Sequence, residues 1–158
     1  MPNRHLSRTI VMQSLYEWDF HPKRKIEEIV SRNEKFFEKG KPDYDYIRSV
    51  AKGVVEKIKE IDKLVQKAAP QWPIEQIPGI DKTILRLATY ELFYRDDIPP
   101  KVVINEAVEL GKIYGSESTS KFVNGALGTL FKIKYADIEK EIKKKWNNLL
   151  TKIAKSQK

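Results

Sequence analysis

The sequence predicts an all-α fold, a two-part bundle of about seven helices, on three observations. Apolar residues recur at spacings of three and four almost throughout. Most of the seven glycines and eight prolines fall between those runs, where they punctuate the chain. No segment alternates with the period of two that a half-buried strand needs, and no internal repeat or low-complexity tract appears. A length of 158 residues suits one domain, expected as an N-terminal subdomain over residues 1–70 and a C-terminal one over 71–158.

A first helix is expected from Asn3 to Phe20, stopping before His21-Pro22. A second should run from Arg24 to Lys39 and end at Gly40, with Lys41-Pro42 beyond it. The third, from Tyr44 to Ala69, carries Ile47, Val50, Val54, Ile58, Ile61 and Val65 as one apolar stripe, and Pro70 terminates it. Residues 71–79, containing Trp72-Pro73 and Ile77-Pro78-Gly79, read as a connector and hinge.

The fourth helix, from Asp81 to Arg95, is apolar on most sides and should be the buried centre. Pro99 and Pro100 stop it, and Pro100 fits the first turn of the fifth helix, whose N–H groups lack intrahelical partners. That helix ends at Gly115, and the cap-rich loop Ser116 to Ser120 starts the sixth. Gly125 and Gly128 inside the sixth cost about 1 kcal/mol each relative to Ala, which predicts a close backbone neighbour. A separate amphipathic helix is expected from Ala136 to Ala154, with Ile138, Ile142, Trp146, Leu149, Leu150 and Ile153 on its apolar face.

Composition bounds function. The absence of cysteine excludes disulfides and thiolate metal sites and fits a reducing, cytoplasmic location. No apolar run reaches 18 residues, and the N-terminus lacks the apolar stretch of a signal peptide. The net charge is +8, but residues 132–158 hold nine Lys against three acidic side chains, so most of the excess sits in the last helix.

Chemistry is sparse. His5 and His21 stand in no helical pair with a carboxylate, and no Gly-rich loop joins a strand to a helix, so neither a metal nor a nucleotide cofactor is expected. Gly111 and Gly115 read as close packing and a helix stop. Glu106 and Glu109 lie three apart, but bonding a neighbouring helix end is a better use for Glu106 than acid–base work. No enzyme is expected.

On a 100° wheel the first helix separates Ile10, Val11, Ser14, Leu15 and Trp18 from a second arc of His5, Arg8, Thr9, Met12, Gln13 and Tyr16, with Arg4 at the helix start. Cations for phosphate, an amide for base edges and a ring for stacking are the groups that single-stranded RNA recognition uses. The same arc also suits an ordinary solvated helix face.

The segment from Ile80 to Gly128 carries Asp97-Ile98-Pro99-Pro100, Ile104-Asn105-Glu106-Ala107 and Lys121-Phe122-Val123-Asn124-Gly125. With Gln13-Ser14-Leu15-Tyr16 near the start, it closely resembles the signature of the NusB family of bacterial transcription antitermination factors. That resemblance implies a non-enzymatic adaptor that binds boxA RNA together with NusE, a small-subunit ribosomal protein, in support of processive transcription of ribosomal RNA operons. It implies an RNA site of Arg4, His5, Arg8, Gln13 and Tyr16 completed by Ser116, Ser118, Lys121 and Phe122. NusE would meet Tyr16 and Asp81, although Asp81 also suits a helix N-cap, and Phe122 also suits the core margin. The N-terminal basic cluster is thinner than in many relatives, since His5 and Leu6 stand where further arginines occur. The resemblance allows a homodimer as well. Two other readings remain: an RNA-recognition module of a ribosomal RNA methyltransferase, which needs a catalytic domain these residues lack, or a helical interaction scaffold.

Overall fold

Among residues 2–157, which the computed structural model describes, the chain forms α1 (Arg4–Phe20), α2 (Ile26–Phe36), α3 (Tyr44–Glu56), α4 (Ile58–Ala68), α5 (Gly79–Tyr94), α6 (Pro100–Tyr114) and α7 (Glu117–Ser156). Single 3-10 turns lie at Glu38–Gly40 and Ile74–Gln76. The helices α1, α2 and α3 pack on one another, and α4 to α7 form a second group in which α5 touches α4, α6 and α7. Contacts of α5 with α1 and α3 join the groups, and one apolar cluster runs through both. As its apolar composition predicts, α5 is the buried centre: Ile84, Leu85, Leu87, Ala88 and Leu92 are all inaccessible.

The helix count meets expectation, but the partition differs. The third predicted helix is two, because Lys57 leaves helical geometry at φ −102° and ψ 17°. Its N–H still bonds Gly53 O, so the apolar spacing passes through the break unaltered and cannot register it. The predicted sixth and last helices are instead one helix of 40 residues, about 60 Å long at ~1.5 Å per residue. No Gly or Pro follows Gly128, so nothing in the chain stops it. Near the predicted stop after α2, the left-handed residue is Lys41 at φ 55°, not Gly40. A Cβ at Gly40 would meet Leu6 Cδ2 at 2.4 Å, so a side chain there requires the tip of Leu6 to move aside.

The expected close approach at Gly125 and Gly128 does not occur. A Cβ at either position would meet nothing within 4 Å, because both face outward from α7. The tight crossing of α6 and α7 falls at Gly111, where a Cβ would lie 3.2 Å from Ser120 Cα.

A second correction concerns α1. Its two-arc wheel fails, because α2, α3 and α5 cover it from several sides and bury Arg8, Thr9 and Met12 beside Ile10, Val11 and Leu15. Arg8 is 4% exposed and forks onto Glu91, with Nε 3.1 Å from Oε1 and Nη2 2.9 Å from Oε2. The Tyr46 hydroxyl donates to the same Oε1 at 2.5 Å. The pair holds Arg8 protonated: burial opposes the charge, but the hydrogen bonds to Glu91 and the surrounding negative charge together outweigh it and raise its pKa. Burial, and then the Glu91 charge, push the Tyr46 phenol up, so it stays a neutral donor.

Candidate nucleic-acid and partner interface

The start of α7 organises the site. Ser116 is its N-cap and forms a reciprocal pair with Thr119: Thr119 N–H donates to Ser116 Oγ at 3.3 Å, and Ser116 N–H donates to Thr119 Oγ1 at 3.1 Å. This is the capping chemistry that the Ser-rich loop predicts. The Thr119 hydroxyl then donates to Asp81 Oδ1 at 2.9 Å. Asp81 is therefore not the N-cap of α5. It sits in the first turn after Pro78, where its charge suits the helix dipole, and it is 8% exposed.

The other oxygen of Asp81 is left for the cavity that Asp81 lines with Trp72, Gln76, Pro78, Ser118 and Phe122, of about 300 Å³. Phe122 is half-buried, packing on the core with one side and lining this cleft with the other, so the two uses expected of it coexist. Pro78 leads into Gly79, against which the Tyr16 ring lies: a Cβ at Gly79 would come within 2.9 Å of Tyr16 Cε2. Tyr16 is half-buried and meets Phe20 edge-on at 5.1 Å between centroids. Tyr16, Asp81, Ser118 and Phe122 thus gather about the α5 N-terminus.

Lys121 projects the other way. It is exposed, lies 3.5 Å from Glu117 and borders a second cavity of about 490 Å³ with Asn105, Glu109, Lys112, Ser120 and Asn124. One turn along α6, Glu106 Oε2 sits 2.9 Å from His5 Nδ1. Glu106 therefore bonds a neighbouring helix start, as expected. Through α6, the α1 N-terminus and Lys121 share one side of the molecule.

The α1 cations are less free than their sequence positions suggest. Arg4 pairs with Asp43 at 3.0 Å and stacks 4.2 Å from the Tyr46 centroid, leaving its side chain 40% exposed. His5 is exposed and Gln13 half-buried. Arg8 is absent from this surface: its guanidinium is spent on Glu91, so it offers nothing to a phosphate.

Sequence reasoning missed Trp72, Gln76 and Pro78 as cavity walls, reading them only as a connector. The available signal was an aromatic residue in a Pro-flanked loop, half exposed in the fold. It also missed Asn105, Lys112 and Asn124 beside Lys121, which only the α6–α7 crossing brings together. Among the described residues, no three His, Asp or Glu side chains gather as a metal site, and no helix is long and apolar enough to cross a membrane.

Residues 5–132 match the NusB family model. The transcription antitermination protein NusB of Carboxydothermus hydrogenoformans is 39% identical over 130 residues, spanning 80% of this chain and 90% of that protein. NusB of Acetivibrio thermocellus is 40% identical over 131 residues, with 83% and 90% covered. Among solved structures, T. maritima NusB superposes with a TM-score of 0.74 at 34% identity, over 84% of this chain and 93% of that one. A structure of antitermination factors NusB and NusE in complex with dsRNA gives a TM-score of 0.71 at 28% identity, over 80% and 94%. These similarities in sequence and fold show that this chain belongs to the NusB family of transcription antitermination proteins.

Proposed function

We propose that the chain is a non-enzymatic factor that binds single-stranded boxA RNA jointly with NusE and supports processive transcription of ribosomal RNA operons. The observation that carries this is the first turn of α7, which sets an exposed ammonium, Lys121, and an aromatic wall, Phe122, at the mouths of two neighbouring cavities. Arg4, His5 and Lys121 would supply phosphate contacts, Gln13, Ser116 and Ser118 polar contacts, and Tyr16 and Phe122 stacking. Tyr16 and Asp81, grouped at the α5 N-terminus, would meet the ribosomal protein, with the unbonded Asp81 oxygen facing a basic group. A relative bound to both NusE and RNA supports this pairing of ligands.

The test is titration of the protein with boxA RNA, a scrambled strand and a duplex, with and without NusE. Expected are preference for boxA, tightening by NusE, and a log–log salt slope near about −2 for roughly three phosphate contacts on a single strand. A slope near zero, or equal affinity for the scrambled strand, refutes the proposal.

A further inference from the structure

From Tyr135 through residue 157 every described side chain of α7 is exposed. Lys134 makes the last tie to the body, donating to Leu92 O and pairing with Asp96 at 3.4 Å. Residues 136–156 then extend about 30 Å further, at ~1.5 Å per residue, and they lie wholly outside the stretch that matches the family model. This arm is not an ordinary solvated helix. Tyr135, Ile138, Ile142, Trp146, Leu149 and Ile153 stand 43–60% exposed at spacings of three and four, forming one continuous apolar stripe. A helix of this length without tertiary contacts is marginal in water, and an apolar stripe so long is ordinarily covered.

The stripe is complementary to itself when reversed. Ile142 and Trp146 lie two residues either side of Lys144, Ile138 and Leu150 six, and Tyr135 and Ile153 nine. A two-fold axis at Lys144 therefore matches these three pairs of apolar side chains across two copies running opposite ways, while Leu149 falls opposite Glu139.

Charges agree with that register. The near half of the arm holds all three acids, Asp137, Glu139 and Glu141, with Lys140 and Lys143 among them, while the far half holds Lys145, Lys152 and Lys155 and no acid. Reversal lays one half on the other, whereas parallel alignment sets each block against its own copy. On a helical wheel Glu141 and Lys145 share one edge of the stripe. In the reversed register Glu141 of each chain falls about 3 Å along the axis from Lys145 of the other, as Lys145 does from its own copy, so the two acids offset the approach of the two lysines. At the base of the arm the stripe runs into a groove of about 410 Å³, lined by Pro100, Lys101, Ile104, Asn105 and Phe131. In that register the far end of a reversed partner arm falls beside the groove, and the two globular bodies lie at opposite ends of the pair.

We infer that the arm of α7 is a dimerisation element, pairing antiparallel with the arm of a second copy of this chain and leaving the surface around Lys121 and Phe122 open. The test is sedimentation of the full chain at up to about 100 µM, above the dissociation constant expected of a stable helix pair. A dimer is expected, and Ile142→Asp with Trp146→Asp should weaken it by roughly 100-fold or more, with melting of the body and RNA affinity unchanged. Glu141→Lys should weaken it alone, and adding Lys145→Glu should restore it, since the reversed register exchanges the two charges. A monomer throughout, a dimer indifferent to the aspartates, or a monomer that instead binds vesicles rich in phosphatidylserine would overturn the inference. None of these outcomes bears on RNA recognition.

Discussion

Replacing Arg8 with Met should unfold this protein far more readily while sparing its RNA surface. Arg8 and Glu91 are both nearly inaccessible, at 4% and 1%, and the guanidinium forks onto the carboxylate with two good bonds. Met fills much of the aliphatic volume but leaves Glu91 charged and buried, with Tyr46 as its one remaining partner. Breaking a buried pair from one side costs about 3–5 kcal/mol, because the surviving charge loses its compensation. For a domain of this size that corresponds to a fall in Tm of about 6–20 °C. Thermal and urea unfolding measure it. The companion Arg8→Met/Glu91→Leu removes both charges and should recover much of the loss, short of the orphaned Tyr46 hydroxyl. BoxA affinity at a temperature where all variants are folded should stay within about twofold of the parent. An Arg8→Met protein with unchanged Tm and abolished RNA binding would refute the reasoning and return Arg8 to the phosphate-contacting set.

Gly125→Ala and Gly128→Ala should each stabilise by up to about 1 kcal/mol, since a methyl group at either place meets open space within a helix, and a lower Tm would show that α7 is not continuous there. Phe122→Ala should weaken boxA binding by about 1–3 kcal/mol if a base stacks on it, whereas Lys121→Ala should lower affinity and flatten the salt slope by about 0.7; equal slopes for parent and Lys121→Ala exclude that contact. Stability should also fall in acid. Burial alone would raise the Asp19 carboxyl, but hydrogen bonds from Lys82 and Arg86 hold it below its ordinary value. A hydrogen bond from Tyr46 N–H does the same at Asp43, and Arg95 holds the exposed Asp97 down to about 2. Depressed folded-state carboxylates stabilise above their unfolded value of ~4 and lose that contribution as pH falls through the folded values. Urea midpoints should therefore be flat above about pH 5 and drop below it, less steeply in Asp19→Asn; an unchanged acid limb in that variant removes Asp19 from the account.

Much of the fold was legible because helical periodicity and Pro or Gly stops are local signals. The stop at Phe20, the start at Pro100, the cap at Ser116 and the buried α5 all follow from residues within a few positions of each feature. The misplacements share one cause: each depends on what packs opposite. Lys57 breaks α3 from α4 without disturbing the stripe. Gly111, read from the sequence as close packing, marks the close crossing, but Gly125 and Gly128 do not, since only the neighbour's position distinguishes a crowded glycine from an exposed one. Arg8 went astray because a wheel assigns charges outward, and nothing in the sequence pairs residue 8 with residue 91. The site was legible as residue types near Lys121 and Tyr16. Its division into two cavities was not, because Trp72 and Asn105 reach it from elements distant in the chain.

The burial of Arg8 changes what kind of RNA surface this chain can have. A basic N-terminal helix face would bind through a cluster of cations and tolerate many sequences. Here Arg4 is shared with Asp43 and Tyr46, His5 with Glu106, and Arg8 is withdrawn entirely, so the most exposed positive charge near the site is that of Lys121 and Lys112, each held only at 3.5 Å by a solvated acid of its own helix, Glu117 and Glu109. What remains beside them is apolar and hydrogen-bonding surface: Phe122, Trp72, Ser118 and the spare oxygen of Asp81. A carboxylate facing that cleft repels phosphate, so the cleft favours a base edge or a cationic side chain over backbone. Selectivity would therefore come from the walls about Phe122 and electrostatic affinity mostly from Lys121, with the two ligands of the proposed complex each supplying what the other lacks. Weak binding of RNA alone, and tighter binding once a basic protein covers Asp81, is the behaviour that the proposed complex predicts from this distribution of charge.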